Sequence, residues 1–248
     1  MTSKRFFIRK SQLNIPLAVL TGEEHHHLKD VVRIQPKENI WLFDEEGISY
    51  LARVEDINRN ETQLFILEKV AETKPQSWIT LAQAFIKPGK MDLIVQKATE
   101  LGVMSLIPLV TRRTLTRMEH SNENKCIRWR RIALEASKQC GRSILPEIQS
   151  PRTLDTLLED LEVSKKFYLN HEVEQKLKDV LIQYCSKESP RPPDSVVILI
   201  GPEGGWTDDE ERDILRHDFE AVNLGSYTLR SETAAITAAA MINHFWNQ

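Results

Sequence analysis

The sequence predicts a mainly parallel α/β sheet, covered by helices on both faces and preceded by a small antiparallel β-barrel. Three observations predict it. Up to about residue 70, apolar and polar positions alternate between turn signals. From Trp78 onward, nearly uniform apolar strands alternate with helical segments. A polar stretch, Ala71-Glu72-Thr73-Lys74-Pro75-Gln76, separates the two rhythms. Period-two alternation marks a strand with one wet face, whereas strands apolar throughout belong to parallel sheets buried on both sides. The expected domains are therefore residues 1–72 and 77–248.

In the first domain the strands are FFI, NIWLFDEEGISYLARVEDI and ETQLFILEKV. Ile40 and Leu42, then Tyr50, Ala52 and Val54, supply the alternation, with turns at Glu46-Gly47 and Asn58 to Asn60. A short helix is expected near Glu23. In the second domain WITLAQAFI is a strand, and KMDLIVQKATEL is a helix stopped by Gly102, which suits the left-handed position after a helix. VMSLIPLV is the next strand; CIRWRRIALEASKQC is a longer helix closed by Gly141. FYLN, a helix near Glu172 to Tyr184, VVILI, a helix from Asp208, AVNLG and a final helix from about Ser231 complete the alternation. SKESPRPPD is a surface loop, and there are no internal repeats.

Composition excludes several function classes. At 248 residues, 41% hydrophobic and 28% charged, the chain is expected to be soluble and globular, with material for one large domain or two ordinary ones. No apolar run is long enough to span a bilayer, and MTSKRFFIRK lacks the apolar core of a signal peptide. The 3 cysteines, Cys126, Cys140 and Cys185, form no CxxC and read as reduced thiols of a cytoplasmic protein. His25-His26-His27 cannot all face one ion, because successive helical residues fan out around the axis, so no metal is expected. The net charge of −3 conceals an uneven distribution: −1 over residues 1–76, +6 over 77–150 and −8 over 151–248. A basic middle suggests a local anion-binding face, although an ordinary charged surface fits the count equally well.

Two loops are placed for chemistry. IGPEGGW, Ile200 to Trp206, follows an apolar strand and precedes a helix announced by Thr207 and Glu210, a T-x-x-E capping box. Ligands of open α/β sheets bind at the carboxyl ends of strands, and the glycines let a main chain approach one closely. The loop is neither a dinucleotide fingerprint nor a phosphate loop; it has no lysine, and Glu203 would repel a phosphate. A tight turn without a ligand remains the alternative. In AVNLGSYTLRSETAAITAAAMINHF a second short strand ends at Gly225, with Ser231 as the expected N-cap and Glu232 in the first helical turn. Ala234, Ala235, Ala238, Ala239 and Ala240 make a narrow helix. They reflect either plain helix propensity or close packing against the ligand loops or a second subunit.

The long helix carries two stripes. Trp129, Ile132, Ala133, Ala136 and Cys140 should bury; Arg128, Arg131, Glu135, Lys138 and Arg142 should lie outside. A solvated face is the default for the second stripe. Together with Lys87, Lys90, Arg112 and Arg113 from the same segment, and Arg33 from the first domain, it is expected to contact phosphates.

GPEGGW-x-x-x-E followed by LG-x-x-x-LR-x-ETA resembles the SPOUT-class RNA methyltransferases. Within them the chain is similar to the ribosomal RNA small-subunit methyltransferase E family, which methylates N3 of a uridine in small-subunit ribosomal RNA. HHLKDVVR, KPGKMDLIVQKATELGV, IPL and RWRRIALEASKQCGR extend the resemblance over nearly the whole chain. It departs at Tyr227, where the family often has arginine or lysine, and at Glu38-Asn39, where it often has Gly-Asp.

The resemblance implies a PUA-like barrel, a C-terminal trefoil knot that general folding rules would disfavour, S-adenosyl-L-methionine as methyl donor, and a homodimer formed through the knotted domain. The partner it implies is small-subunit ribosomal RNA or the assembled 30S subunit. It maps donor binding onto Ile200, Gly201, Pro202, Glu203, Gly204 and Gly205, onto Leu224 and Gly225, and onto Leu229, Arg230 and Ser231, with Leu169 and Asn170 as further candidates. Arg230 is the first choice to stabilise charge on the uracil carbonyls; a salt bridge to Glu232 or Glu203 is its alternative role. Glu232 would orient Arg230, accept the proton, or serve only as a helix-start acid. The rival function is a catalytically silent RNA-binding or assembly factor on the same scaffold.

Overall fold

The structure, a computed structural model, describes residues 4–114, 121–184 and 191–247. Cys185 and the first half of SKESPRPPD lie outside the described residues. The chain divides into two compact units, Met1–Lys74 with Leu134–Leu145, and Pro75–Ala133 with Pro146–Gln248.

The first unit is a six-stranded sheet. Its strands are β1 (Arg5–Phe7), β2 (Leu13–Asn14), β3 (Leu17–Thr21), β4 (Asn39–Phe43), β5 (Ile48–Ile57) and β6 (Glu61–Ala71), in the order β1-β4-β5-β6-β3-β2. The alternating residues of the sequence form its inner face: Ile40, Leu42, Tyr50, Ala52, Val54, Leu64 and Ile66 are buried together with Phe6 and Leu20. Pairing is antiparallel except at β1, which runs parallel to β4. Helix α1 (Gly22–His26) continues as a π-helical stretch, His27–Val32, that Arg33 ends in the left-handed conformation (φ 58°). The histidines have separate tasks. His25 is buried with Nδ1 2.8 Å from Thr62 Oγ1, His26 faces Asp30, and His27 packs edge-on against Phe6.

The segment Leu134–Leu145 corrects three expectations. Lys138, expected outside, is 8% exposed and pairs with Glu24 and Glu135. Arg142 is also buried, where burial lowers its guanidinium pKa against the attraction of Glu72. The Glu72 carboxylate accepts from the backbone N–H groups of Ser143 and Ile144, and Arg5 donates to the hydroxyls of Ser49 and Ser143. Cys140, expected inside, is exposed.

The second unit is a wholly parallel seven-stranded sheet. Its elements in chain order are β7 (Trp78–Ala84), α2 (Pro88–Glu100), β8 (Ser105–Val110), α3 (Ser121–Cys140, of which the part from Leu134 belongs to the first unit), β9 (Glu147–Ile148), β10 (Arg152–Thr153), α4 (Leu154–Asp160), β11 (Lys165–Leu169), α5 (Leu177–Gln183), β12 (Ser195–Ile200), α6 (Asp208–Arg216), β13 (Glu220–Val222) and α7 (Ser231–Trp246). The strand order is β10-β8-β7-β12-β11-β13, with β9 on β8.

Residues of β12 show why these strands read as apolar runs. Val196, Ile198 and Ile200 face a layer containing Met91, Ile94, Ala235 and Trp246, while Val197 and Leu199 face another containing Leu157 and Ile214. Both faces of the strand are dry, and each fully buried aliphatic side chain contributes roughly 1.5–3 kcal/mol. The alanine face of α7 is buried, and the helix packs on α2, α5, β7 and β12. Gly102 (φ 79°) and Gly141 (φ 89°) end α2 and α3 as expected. Several features were not legible: strands β2, β3, β9 and β10; α4, a seven-residue helix capped by Thr153; and the start of α5 at Leu177 instead of Glu172. No helix among the described residues is long and apolar enough to cross a membrane.

Candidate functional site

The strand order sets β11, β12 and β13 so that their carboxyl ends adjoin, and the loops leaving them enclose a cavity of about 620 Å³. Its wall comprises Leu169 and Asn170, residues 200–206, 222–225 and 227–231, with Arg113, His171, Glu172, Asp208, Glu211 and Ala234. Every residue mapped to donor binding therefore lines one cavity.

The first loop is held along its length. The Trp206 ring lies on Gly201, where an added Cβ would stand 3.2 Å from the indole, and Trp206 Nε1–H donates to the Leu169 carbonyl at 3.2 Å. Gly205, at φ 71°, closes a turn by donating its N–H to the Pro202 carbonyl at 2.9 Å. Arg113 Nη1 donates to the carbonyls of Gly204 (2.6 Å) and Trp206 (2.9 Å), with its methylenes against Gly204. Beyond the loop the expected capping box is formed. Thr207 Oγ1 accepts from the Glu210 N–H, and the Glu210 side chain accepts from the Thr207 N–H. The other oxygen of Glu210 accepts from the Arg112 N–H at 2.7 Å, so the cap also ties down the chain after β8.

The second loop turns at Gly225, whose φ of 133° disfavours any side chain. Ser231 is not the N-cap of α7; Arg230 occupies that position, and no side chain caps the helix. The buried Ser231 hydroxyl instead donates to the Gly201 carbonyl at 2.7 Å and accepts from Gln83 Nε2 at 3.0 Å. A hydroxyl facing a neighbouring loop satisfies that loop's carbonyl in preference to its own helix, which joins the two glycine loops directly.

Electrostatics distinguish the walls. Burial, then Glu172 and Asp208, push the Glu211 carboxyl above the ordinary range, and Asn170 Nδ2 donates to it at 3.1 Å. Burial also pushes the Glu232 carboxyl up, but its own backbone N–H and the Lys90 ammonium outweigh this and hold it below the usual value. Arg230 is exposed on the cavity wall; the cation paired with Glu203 and Glu232 is Lys90, not Arg230. No group of three or more His, Cys, Asp or Glu among the described residues is placed to hold a metal ion.

The basic residues expected at phosphates divide. Arg33, Lys87 and Arg131 are exposed, with no ion pair among the described residues. Arg112 pairs with Asp209 and Arg128 with Asp92, yet they remain 60% and 68% exposed. Lys90 and Arg113 serve the first loop, and Arg142 is buried. Sequence reasoning missed Trp206, Glu211 and Tyr227 as wall residues. Trp206 ends the first motif and Glu211 adjoins the capping box, while the 85% exposed Tyr227 was marked only as a departure from the family pattern.

The RNA methyltransferase domain model matches residues 72–243, and the RNA methyltransferase PUA domain model matches residues 20–67. The chain is similar to the ribosomal RNA small subunit methyltransferase E of Synechocystis, at 32% identity over 96% of this chain and 77% of that one. A methyltransferase of Legionella pneumophila, solved with the bound cofactor SAM, superposes with a TM-score of 0.87 at 28% identity, covering 100% of both chains. The ribosomal RNA small subunit methyltransferase E of Neisseria gonorrhoeae, bound to S-adenosyl methionine, has a TM-score of 0.85 at 29% identity, covering 98% of each.

Proposed function

The chain belongs to the ribosomal RNA small subunit methyltransferase E family of RNA methyltransferases, and from that premise we propose that it transfers a methyl group from S-adenosyl-L-methionine to N3 of a uridine in 16S ribosomal RNA. The observation that carries the reading is the pair of glycine loops, joined by the Ser231–Gly201 hydrogen bond, that wall a single cavity.

The residues present fit the donor. Gly204 and Gly205 bring no side chain of their own to the wall, and the Glu172 and Asp208 carboxylates repel that of Glu211, a repulsion that a cationic ligand relieves and a phosphate worsens. S-adenosyl-L-methionine supplies a sulfonium-bound methyl group. Residues 200–205, 224–225 and 229–231, with Leu169, would hold it. The same reading includes a trefoil knot that threads the two loops together.

Methylation at N3 requires loss of the imide proton, which leaves charge on the uracil carbonyls. Arg230, exposed at the cavity wall and not held by either neighbouring glutamate in an ion pair, is the cation for that charge. Glu232 stays ionised as the acid of the first turn of α7; its lowered pKa makes it a weak base, which favours an orienting or electrostatic role over proton transfer. Arg33, Lys87 and Arg131, with Arg112 and Arg128, are the cations available to RNA phosphates. The substrate is small-subunit RNA, free or assembled in the 30S subunit, and the enzyme acts as a homodimer through its α/β unit.

The test is transfer of labelled methyl to small-subunit RNA or 30S particles, with the product nucleoside identified by mass spectrometry. N3-methyluridine is expected. Methylation only at a ribose hydroxyl or another base atom would overturn the regiochemistry. RNA binding with no calorimetric response to saturating donor would instead favour the silent assembly factor.

A further inference from the structure

Lys90 is partly exposed, yet its surroundings do not suit a phosphate contact. It stands in the first turn of α2, with Nζ 3.4 Å from Glu203 Oε1 and 3.2 Å from Glu232 Oε1. Glu203 belongs to the loop after β12 and Glu232 to the first turn of α7, so one ammonium touches both glycine-loop segments. Glu232 is 12% exposed, and its Oε2 is buried without a hydrogen-bond partner among the described residues. Such a carboxylate depends on neighbouring charge to offset its lost hydration. Lysine suits the position because its ammonium carries three donors on a flexible stem and can serve two acceptors at once. Arg113 braces the first loop separately, through the carbonyls of Gly204 and Trp206.

We propose that Lys90 is a positioning residue, a clamp that bridges Glu203 and Glu232 and so holds the two donor-binding loops at their working separation, and not a contact to RNA. The inference rests on the donor reading above. If both loops contribute main-chain contacts to one ligand, their spacing must be set before it arrives, or binding bears the cost of ordering them. The Ser231–Gly201 hydrogen bond joins the loops at their base; Lys90 joins them through Glu203 and the start of α7.

The experiment compares full-length wild type with Lys90→Met, Lys90→Arg, Glu232→Gln and the Lys90→Met/Glu232→Gln double variant. S-adenosyl-L-methionine affinity is measured by calorimetry, and affinity for a small-subunit RNA fragment is measured across salt concentrations. Lys90→Met should weaken donor binding about tenfold, the scale of two partly exposed ion pairs lost together, and Lys90→Arg should recover most of it. The double variant should be no weaker than Lys90→Met alone, because the two changes remove the same contact. The slope of log affinity for RNA against log salt should not change. A slope shallower by about one, with donor affinity intact, would make Lys90 a phosphate contact and overturn the clamp. Hydrogen exchange of the ligand-free protein provides a readout that does not need the donor. Amides of residues 203–206 and 231–233 should exchange faster in Lys90→Met, and unchanged exchange there overturns the clamp. Wild type that binds no donor would sink the functional reading, leaving the clamp to be judged on exchange alone.

Discussion

Arg230 and Glu211 occupy the same cavity wall, yet the sequence marked only the first. Arg230→Ala should lower turnover by about 10²–10³ while leaving donor affinity within about threefold, because its expected partner is the charge formed during transfer. Equal losses in kcat and donor binding would assign it to the donor site instead. Gly204→Val should weaken donor binding, since its Cβ would meet the Arg113 Cδ at 3.3 Å and displace the side chain that orders the loop; calorimetry checks this. At Glu211 the sign follows from its raised pKa. The folded state holds the proton more tightly than the unfolded chain, so this stability is fully present below the unfolded pKa and is lost as pH rises through the folded one. Glu211→Gln should therefore raise the Tm of the ligand-free protein at neutral pH and have little effect in acid. A fall in Tm at neutral pH would refute the repulsion. Repulsion of this kind could not be read from the sequence, because Glu172 and Glu211 meet only when β11 and β12 lie side by side.

At the scale of elements, propensity located the helices and tertiary pairing decided their ends. Residues 172–176 read as helical, but the Asn223 N–H donates to the Gln175 carbonyl at 2.8 Å and the Leu177 N–H to the Asn223 carbonyl at 2.9 Å. Backbone groups engaged across to the second loop cannot also make i→i−4 bonds, so α5 begins only at Leu177. Ser231 illustrates the same competition: a residue suited to capping is used to join two loops. Ser231→Ala removes the donor to the Gly201 carbonyl and should cost about 1–2 kcal/mol, with donor affinity falling alongside. Ser231→Thr should retain part of both. An unchanged denaturation midpoint and donor affinity in the alanine variant would mean that the bond is not needed to hold the loops.

Across the whole molecule, the basic middle of the chain is divided among tasks that net charge cannot distinguish. Arg131 is exposed, whereas Arg142 is buried beside Glu72. Arg131→Ala should reduce the salt slope of RNA binding by about one without altering stability. Arg142→Ala should leave that slope unchanged and destabilise the fold by about 1 kcal/mol or more, because a buried side chain is lost from the packing. The reverse pattern would show that the two arginines had been misassigned.

What the sequence determined by itself was whatever depends on neighbours along the chain. Alternation in residues 40–54, apolar strands such as Val196 to Ile200, the stops at Gly102 and Gly141, the Thr207–Glu210 capping box and the two glycine motifs are all local, and all are present in the structure. Which of the cations are unpaired, the place of Lys90 between Glu203 and Glu232, and the reach of the Ser231 hydroxyl to Gly201 were set by the folded chain alone. Those pairings join residues far apart in the chain, and their energies depend on separation and burial, quantities that exist only once the strands have been brought into one sheet.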